Sequence, residues 1–268
     1  MRAEILNIVR EKNPVVFHIT NSVTINDCAN ITLALGGSPL MSYCKEELRE
    51  ILSFSSALVI NIGTMESKMC EMVIEAGKLA NELNVPVILD PVGAGASASR
   101  ENLVKKLISN VKFAVIKGNL AEIKTIAGIK NENNKGVDSV EEFENSSSLA
   151  KELAIELESV IAITGKEDIV SDGKRVCKIK NGTPLLRKVT GTGCITASLI
   201  GTICGAYRED IYEGAILGVV LMGIAGEIAE KSLTSEEGSG TFRMRIIDNI
   251  FNMTEEKIRE NIKINFEN

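Results

Sequence analysis

The sequence has few of the residues that several classes of catalytic and metal site require. It has no tryptophan, a single histidine (His18) and only 4% aromatic residues in a chain of 268. A single histidine excludes any mechanism that needs two histidines. In a Ser-His-Asp triad, His18 would have to be the base. The Gly-x-Ser-x-Gly motif that exposes a nucleophilic serine is also missing. We therefore expect His18 to be a hydrogen-bonding residue rather than a base.

Cysteine usage excludes a further class of site. None of the six cysteines forms a Cys-x-x-Cys pair, so the spacing of a structural zinc site is lacking. We expect no disulfides in a cytoplasmic chain of this length. Cys28, Cys70 and Cys204 are expected to be small core residues, and Cys194 is discussed below.

The charge and hydropathy of the chain exclude two kinds of partner. The formal net charge is −6, with acidic and basic residues interspersed, so no basic stripe suggests nucleic acid. The apolar runs, such as residues 216–224, are interrupted by glycine and are too short to cross a bilayer. The first 14 residues carry charges throughout, unlike a signal peptide. These features predict a soluble, cytoplasmic protein that binds no membrane.

Apolar runs alternate with amphipathic stretches along the chain, which is typical of βαβ units. Continuous apolar strands indicate a sheet that is covered on both faces. We expect one domain over residues 1–268, an α/β fold with a mostly parallel sheet and helices on both faces. Residues 169–180 predict a β-hairpin with its turn at Asp172-Gly173. Residues 131–147 are polar and predict a loop leading into a helix. The chain from Gly193 onward is expected to be mainly helical. The predicted strands are residues 15–19, 57–62, 85–89, 113–116 and 160–163.

Polar residues follow each of the five predicted strands. They include Asn21, Asn61, Asp90, Asn119 and Thr164. Each group is compatible with a simple turn, but ligands of open parallel sheets bind beyond the carboxyl ends of the strands. Five such groups at one edge predict a binding site there.

The segment from Val189 to Cys194 is the most informative motif. Its two glycines and two threonines precede an apolar run that predicts a helix over residues 195–206. Glycines allow close approach of the backbone to a ligand, and a helix start binds anions. Cys194 would lie in the first turn, where a thiolate is favoured. The motif suggests phosphoryl transfer, with an ordinary glycine-rich turn as the alternative.

These motifs together resemble the hydroxyethylthiazole kinase family, within the ribokinase-like superfamily, over nearly the whole chain. The block from His18 to Met41 and a cysteine at position 194 are its most specific parts, whereas Asp90-Pro91 and residues 119–122 belong to the wider superfamily. The other matching segments are residues 61–64, 90–95, 117–123, 136–139, 164–168 and 191–194.

The resemblance implies ATP- and Mg²⁺-dependent phosphorylation of the hydroxyl of 4-methyl-5-(2-hydroxyethyl)thiazole, in thiamine biosynthesis. It also implies a homotrimer with active sites between subunits. Carried over residue by residue, it assigns thiazole binding to Met41, Gly191 and Asn21, ATP binding to Lys117, Thr164, Asn119 and Gly193, the magnesium site to Asp90 and Glu122, and catalytic roles to Cys194, Asp90 and Glu122.

The chain departs from the family pattern at positions that affect its chemistry. Many relatives have arginine where this chain has Lys117, which offers one point charge instead of a fork. The sequence Gly238-Ser239-Gly240-Thr241-Phe242 replaces the more frequent Gly-Pro-Gly-Ser-Phe. Most ribokinase-like kinases have an aspartate base where Cys194 stands, and an ordinary thiol is only a few per cent ionised at neutral pH. The identity of the base therefore stays open.

Three alternative functions remain open from the sequence. One is another ribokinase-like kinase, such as a hydroxymethylpyrimidine kinase. The second is an ATP-dependent repair enzyme for hydrated NADH, which would release inorganic phosphate. The third is a binding protein without turnover, against which the intact Asp90, Glu122 and Gly191–Cys194 motifs argue.

Overall fold

The computed structural model describes residues 2–66, 69–129 and 140–267, with side chains from residue 146 onward in the last range. Nine strands form one sheet. They are β1 (Val15–Ile19), β2 (Ser38–Met41), β3 (Ala57–Asn61), β4 (Val87–Asp90), β5 (Val115–Asn119), β6 (Val160–Thr164), β7 (Asp168–Ser171), β8 (Val176–Ile179) and β9 (Ile264–Glu267).

Helices connect most of the strands and follow the hairpin. In the described residues they are α1 (Ile5–Lys12), α2 (Ile25–Leu35), α3 (Leu48–Phe54), α4 (Met69–Glu82), α5 (Ala98–Asn110), α6 (Leu120–Ile126), α7 (Val140–Leu157), α8 (Thr192–Ala206), α9 (Ile211–Ser232), α10 (Ser239–Phe251) and α11 (Glu255–Asn261). Four helices in succession, α8 to α11, confirm the mainly helical last third, apart from β9.

The strand order is β2-β1-β3-β4-β5-β6-β7-β8-β9. The first six strands are parallel, and β7 to β9 are antiparallel. Strands β7 and β8 form the predicted hairpin, with Gly173 at a positive φ of 87° in the turn. The carboxyl ends of β1, β3, β4, β5 and β6 thus lie side by side, which confirms the predicted edge.

Both faces of the sheet are buried, because successive side chains of a strand point to opposite faces. In β1, Val16 packs in a core with α1, α2 and α8 to α11, whereas Phe17 packs in a second core with α3 to α7. Neither side chain has accessible surface. The prediction of an α/β fold with a mostly parallel sheet and helices on both faces is confirmed.

Helix α9 extends well beyond the apolar run over residues 216–224. Its 22 residues are long and apolar enough to cross a membrane, but 83% of the most apolar 18-residue window is buried inside the protein. It packs closely on α8, and glycines at the contact allow this. A β-carbon on Gly218 would lie 2.6 Å from a side-chain atom of Ile200 and 3.0 Å from its backbone. Helix α9 is therefore a core helix of this fold.

Several predicted boundaries were wrong. Strand β5 runs through Lys117 to Asn119, which the sequence had placed in a loop after the strand. Helix α7 begins at Val140, within residues 131–147, which were predicted as a loop leading into a helix. Strands β2 and β9 were missed because neither is a continuous apolar run: their sequences are Ser-Pro-Leu-Met and Ile-Asn-Phe-Glu. The matching segment at 136–139 lies outside the described residues, and the single domain stays a prediction.

We predict that Gly218→Ala lowers the free energy of unfolding by about 1–3 kcal/mol, because the new methyl group would collide with the backbone of Ile200. Gly240→Ala in α10 is the matched control. A β-carbon there meets no atom within 4 Å, so its effect should stay within about 1 kcal/mol. Urea denaturation of the two variants measures the difference, and equal stabilities would contradict the close α8–α9 contact.

Candidate active site at the carboxyl ends of the strands

A chain of hydrogen bonds crosses the carboxyl edge of the sheet. The Asn61 side-chain amide donates to Oδ2 of Asp90 at 2.6 Å. The amide of Asn21 donates to Oδ1 of Asn61 at 3.0 Å and to Sγ of Cys194 at 3.3 Å. All four side chains are at least 92% buried. The chain therefore joins the ends of β1, β3 and β4 to the first turn of α8.

Lys117 completes this group from strand β5. Its ammonium lies 3.5 Å from Oδ1 of Asp90, and both side chains are almost fully buried. Burial lowers the pKa of Lys117, but Asp90, Glu122 and Cys194 nearby raise it more, so the net pKa is above its ordinary value. The lysine is therefore a permanent buried cation in neutral solution.

The start of helix α8 lies directly against this cation. A β-carbon on Gly193 would be 2.9 Å from Nζ of Lys117, so glycine leaves room for the ammonium. Gly191 is the N-cap, with a φ of 86°, and has no side chain that could accept from the first N–H groups. A β-carbon there would also lie 2.3 Å from Thr24. A lysine ammonium and the positive end of a helix dipole thus converge, which favours an anionic ligand.

Glu122 joins two loops at the same edge. Its Oε1 accepts from the N–H of Gly93 at 2.8 Å, and its Oε2 accepts from the N–H of Asn119 at 2.8 Å. Asn119 in turn caps α6 by accepting from the N–H of Glu122. Burial raises the pKa of Glu122, and these two hydrogen bonds and Lys117 oppose that rise. The carboxylate therefore fixes the loop after β4 against the start of α6.

Arg100 holds the same loop from the other side, and the sequence analysis did not find it. Its guanidinium donates to the carbonyls of Ile62 and Val92, each at 2.8 Å, and to that of Gly63 at 2.6 Å. Arg100 lies within helix α5, away from any strand end, so no local motif marks it. Asn61 was noticed at a strand end but received no role, although its hydrogen bonds link Asp90 to Asn21.

A cavity of about 750 Å³ opens beside the start of α8. This volume is within the range of small-molecule sites. Asn119, Thr164 and Gly193, three of the predicted ATP-binding residues, line it. Asp168 lines it too, and its carboxylate accepts from the N–H of Gly165 at 2.8 Å. Burial raises the pKa of Asp168 to about 7.

The two groups with possible acid–base roles are uncharged in neutral solution. Burial, followed by the charge of Asp90, raises the pKa of Cys194, so the thiol keeps its proton. The expectation of a favoured thiolate at this helix start was wrong, because burial outweighs the helix dipole. Burial lowers the pKa of His18 to about 4, and its ring bonds to the carbonyl of Val16 and to Ser198. His18 is thus the hydrogen-bonding residue that we expected.

Met41 lies at the outer end of the group of predicted residues. It ends the edge strand β2, opposite His18 of β1, and is half-buried. Because β2 is parallel to β1, Met41 stands at the same carboxyl edge, one strand spacing from the strand that precedes Asn21 and three spacings, about 14 Å, from the strand of Asp90. The other nine predicted residues lie along this edge and at the start of α8. The fold therefore brings all ten predicted residues to the carboxyl edge of the sheet.

The oxygen donors at this edge fit a magnesium ion. Asp90 and Glu122 are carboxylates on neighbouring strand ends, and oxygen is the ligand that Mg²⁺ prefers. Each of their four oxygens already accepts from a protein donor. Mg²⁺ commonly keeps several waters, so these carboxylates suit contact through water.

The comparison with solved structures identifies the class of fold first. A ribokinase-like superfamily protein from Enterococcus faecalis shares the fold, with a TM-score of 0.64, 13% identity and coverage of 95% of this chain and 96% of its own. This chain therefore has a ribokinase-like fold.

Closer relatives define the family. The model of the hydroxyethylthiazole kinase family matches residues 6–256. A hydroxyethylthiazole kinase from Alkaliphilus oremlandii is 48% identical over 97% of this chain and 96% of its own length. The structure of a hydroxyethylthiazole kinase protein from Pyrococcus horikoshii superposes with a TM-score of 0.90 at 36% identity, over 99% and 98% of the two chains. The chain belongs to the hydroxyethylthiazole kinase family.

We predict that Glu122→Gln lowers the free energy of unfolding by about 1–3 kcal/mol. Glutamine has one acceptor oxygen for two backbone donors, so its amide group would face the N–H of Gly93 or Asn119. Glu101→Gln, which alters an exposed ion pair with Lys105, is the control and should change stability by less than about 0.5 kcal/mol. Denaturation curves in urea compare the variants. If Glu122→Gln is as stable as the control, the two hydrogen bonds that Glu122 accepts from backbone N–H groups do not contribute to the free energy of unfolding.

Proposed function

We propose that this protein transfers the γ-phosphate of ATP to the hydroxyl of 4-methyl-5-(2-hydroxyethyl)thiazole, in the biosynthesis or salvage of thiamine. The family membership supports the substrate. The observation that carries the chemistry is the convergence of the Lys117 ammonium with the N-terminus of α8. A polyphosphate satisfies both positive groups at once, and a neutral ligand satisfies neither.

The nucleotide occupies the 750 Å³ cavity, with its phosphates toward the start of α8. Thr164 and Asn119 bind it from the ends of β6 and β5. Gly193 offers a backbone N–H, and Lys117 holds the charge of the transferred group. Phosphoryl transfer depends mainly on such positioning and electrostatic stabilisation. The preformed N–H groups and ammonium provide both without rearrangement.

Asp90 and Glu122 would hold Mg²⁺, which would neutralise charge on the phosphate oxygens. Asp90 has a second task, since its carboxylate is the partner that keeps the Lys117 ammonium in place. Removal of the Asp90 carboxylate would therefore weaken both the metal site and the phosphate site.

The thiazole alcohol binds at Asn21, Gly191 and Cys194, with Met41 contacting the ring. Asn21 is held by Asn61 and itself donates to Cys194, so its position is fixed before the substrate arrives. Because the Cys194 thiol keeps its proton, Cys194 orients the hydroxyl and does not accept its proton. A loose transition state does not need a strong base at this step.

A homotrimer with active sites between subunits, in the cytoplasm, is part of this proposal. The family resemblance is the support for this part of the proposal.

We predict that the purified protein releases ADP from ATP and Mg²⁺ only when the thiazole alcohol is added, with one thiazole phosphate formed per ADP. A coupled ADP assay and mass spectrometry measure the two products. Hydroxymethylpyrimidine and hydrated NADH are the comparison substrates, because they correspond to the two alternative enzymes. A folded protein that releases ADP only with one of these, or with none, would contradict the proposal.

We predict that Cys194→Ser keeps kcat within about 10-fold of the unmodified protein, since a hydroxyl also accepts from Asn21 and donates to the substrate. General-base catalysis is worth about 10²–10⁴-fold, so loss of an essential base would be unmistakable. Cys70→Ser, on α4 and outside the site, is the matched control. Steady-state kinetics at saturating ATP compare them. A loss of about 10³-fold in a folded Cys194→Ser protein would show that the thiol is the base.

A further inference from the structure

Glu227 is a buried carboxylate that the catalytic scheme does not use. It lies on α9 with only 7% of its surface exposed, and it accepts three hydrogen bonds. Its Oε1 accepts from the Asn181 side chain at 3.2 Å and from the N–H of Gly182 at 2.8 Å. Its Oε2 accepts from the ammonium of Lys263 at 2.7 Å. All three donors belong to segments far from α9 in sequence.

Two of these donors are in the segment that forms one side of the cavity. We call residues 181–187 the wall loop. Six of its residues line the cavity: Asn181 and Gly182, which donate to Glu227, and also Thr183, Pro184, Leu186 and Arg187. The position of the wall loop therefore affects the shape of the cavity.

The wall loop rests directly on helix α9. A β-carbon on Gly223, one helical turn before Glu227, would lie 2.6 Å from Cβ of Asn181 and 2.8 Å from its carbonyl carbon. Gly226 makes a similar approach to Leu186, at 3.0 Å. Two glycines thus remove the side chains that would push the loop into the cavity, and Glu227 supplies the attraction that holds it there.

The other end of the wall loop is tied to the phosphate side of the cavity. The hydroxyl of Thr192, the first residue of α8, donates to the carbonyl of Leu186 at 3.1 Å. The chain segment before β9 secures the first end, because the N–H of Lys263 donates to Oδ1 of Asn181 at 2.8 Å. The loop is therefore anchored at both ends, by α9 with the C-terminal segment and by the start of α8.

We propose that Glu227 is a positioning residue for the nucleotide, which acts by holding the wall loop against α9. The proposal rests on the proposed function in one respect, that ATP occupies this cavity. Glu227 touches no reacting atom, so its loss should weaken nucleotide binding and leave the thiazole site, built from Asn21 and Cys194, largely unchanged.

Glu227→Met is the decisive variant, because it keeps the length of the side chain but offers no acceptor oxygen to the three donors. We expect Kd for AMP-PCP, a non-hydrolysable ATP analogue, to rise about 10-fold in isothermal titration calorimetry. KM for ATP should rise in parallel, with KM for the thiazole alcohol within 2-fold of its original value. Glu230→Met, at an exposed residue on the same helix, is the matched control and should change neither Kd nor the two KM values.

Lys263→Met provides a milder second variant in case Glu227→Met does not fold. It removes only one of the three donors, the ammonium of Lys263, whose side chain is half exposed. A rise in Kd for AMP-PCP smaller than that of Glu227→Met is expected. A folded Glu227→Met protein with unchanged Kd would overturn the proposal. So would equal losses in nucleotide and thiazole affinity with a lowered Tm, because they indicate a general structural role.

The readouts separate this proposal from the proposed function. Binding of AMP-PCP needs no thiazole turnover. If the unmodified protein binds AMP-PCP but releases no ADP with the thiazole alcohol, the proposed function fails and the role of Glu227 is still decided by Kd. If the unmodified protein does not bind AMP-PCP, the cavity is not a nucleotide site and the role of Glu227 is overturned with it.

Discussion

The buried pair of Lys117 and Asp90 is the interaction on which the site depends. An ammonium without a partner is very unfavourable in a protein interior, and loss of one member of a buried pair typically costs about 3–5 kcal/mol. Asp90 makes the ammonium tolerable where strand β5 meets helix α8. In turn, Asn61 fixes Asp90, Asn21 fixes Asn61, and Cys194 accepts from Asn21. A continuous series of contacts thus connects the buried cation to Asn21 and Cys194.

The parallel sheet explains why these residues meet. Each comes from a different part of the chain, and each stands at or near the carboxyl end of its strand. Adjacent strands place such positions about 5 Å apart, so short polar side chains can touch without long loops. Arg100 and Glu122 then hold the loops that follow the strands. The carboxyl edge of the sheet and the loops held by these hydrogen bonds provide the preorganised geometry that phosphoryl transfer needs.

Glycine has a specific task at three contacts of this structure. At Gly193 it leaves space for the Lys117 ammonium, at Gly218 it brings α9 against α8, and at Gly223 it lets the wall loop rest on α9. In each case the missing β-carbon allows a close approach of two segments. At Gly218 and Gly223 the close neighbours include backbone atoms of Ile200 and Asn181, which do not adjust as flexible side chains do, whereas at Gly193 the neighbour is the ammonium of Lys117.

The fold class and the grouping of most candidate site residues at one edge of the sheet could be predicted from the sequence alone. Apolar runs identified five parallel strands, and the polar residues after them identified Asp90, Asn119 and Thr164, because both signals are local. The tertiary structure alone decided the protonation of Cys194, since burial and the charge of Asp90 act through space. It also revealed Arg100 and Glu227, which lie inside helices and meet their partners only after folding. Local patterns record which face of an element is buried, whereas the partners of a buried charge depend on contacts between distant segments.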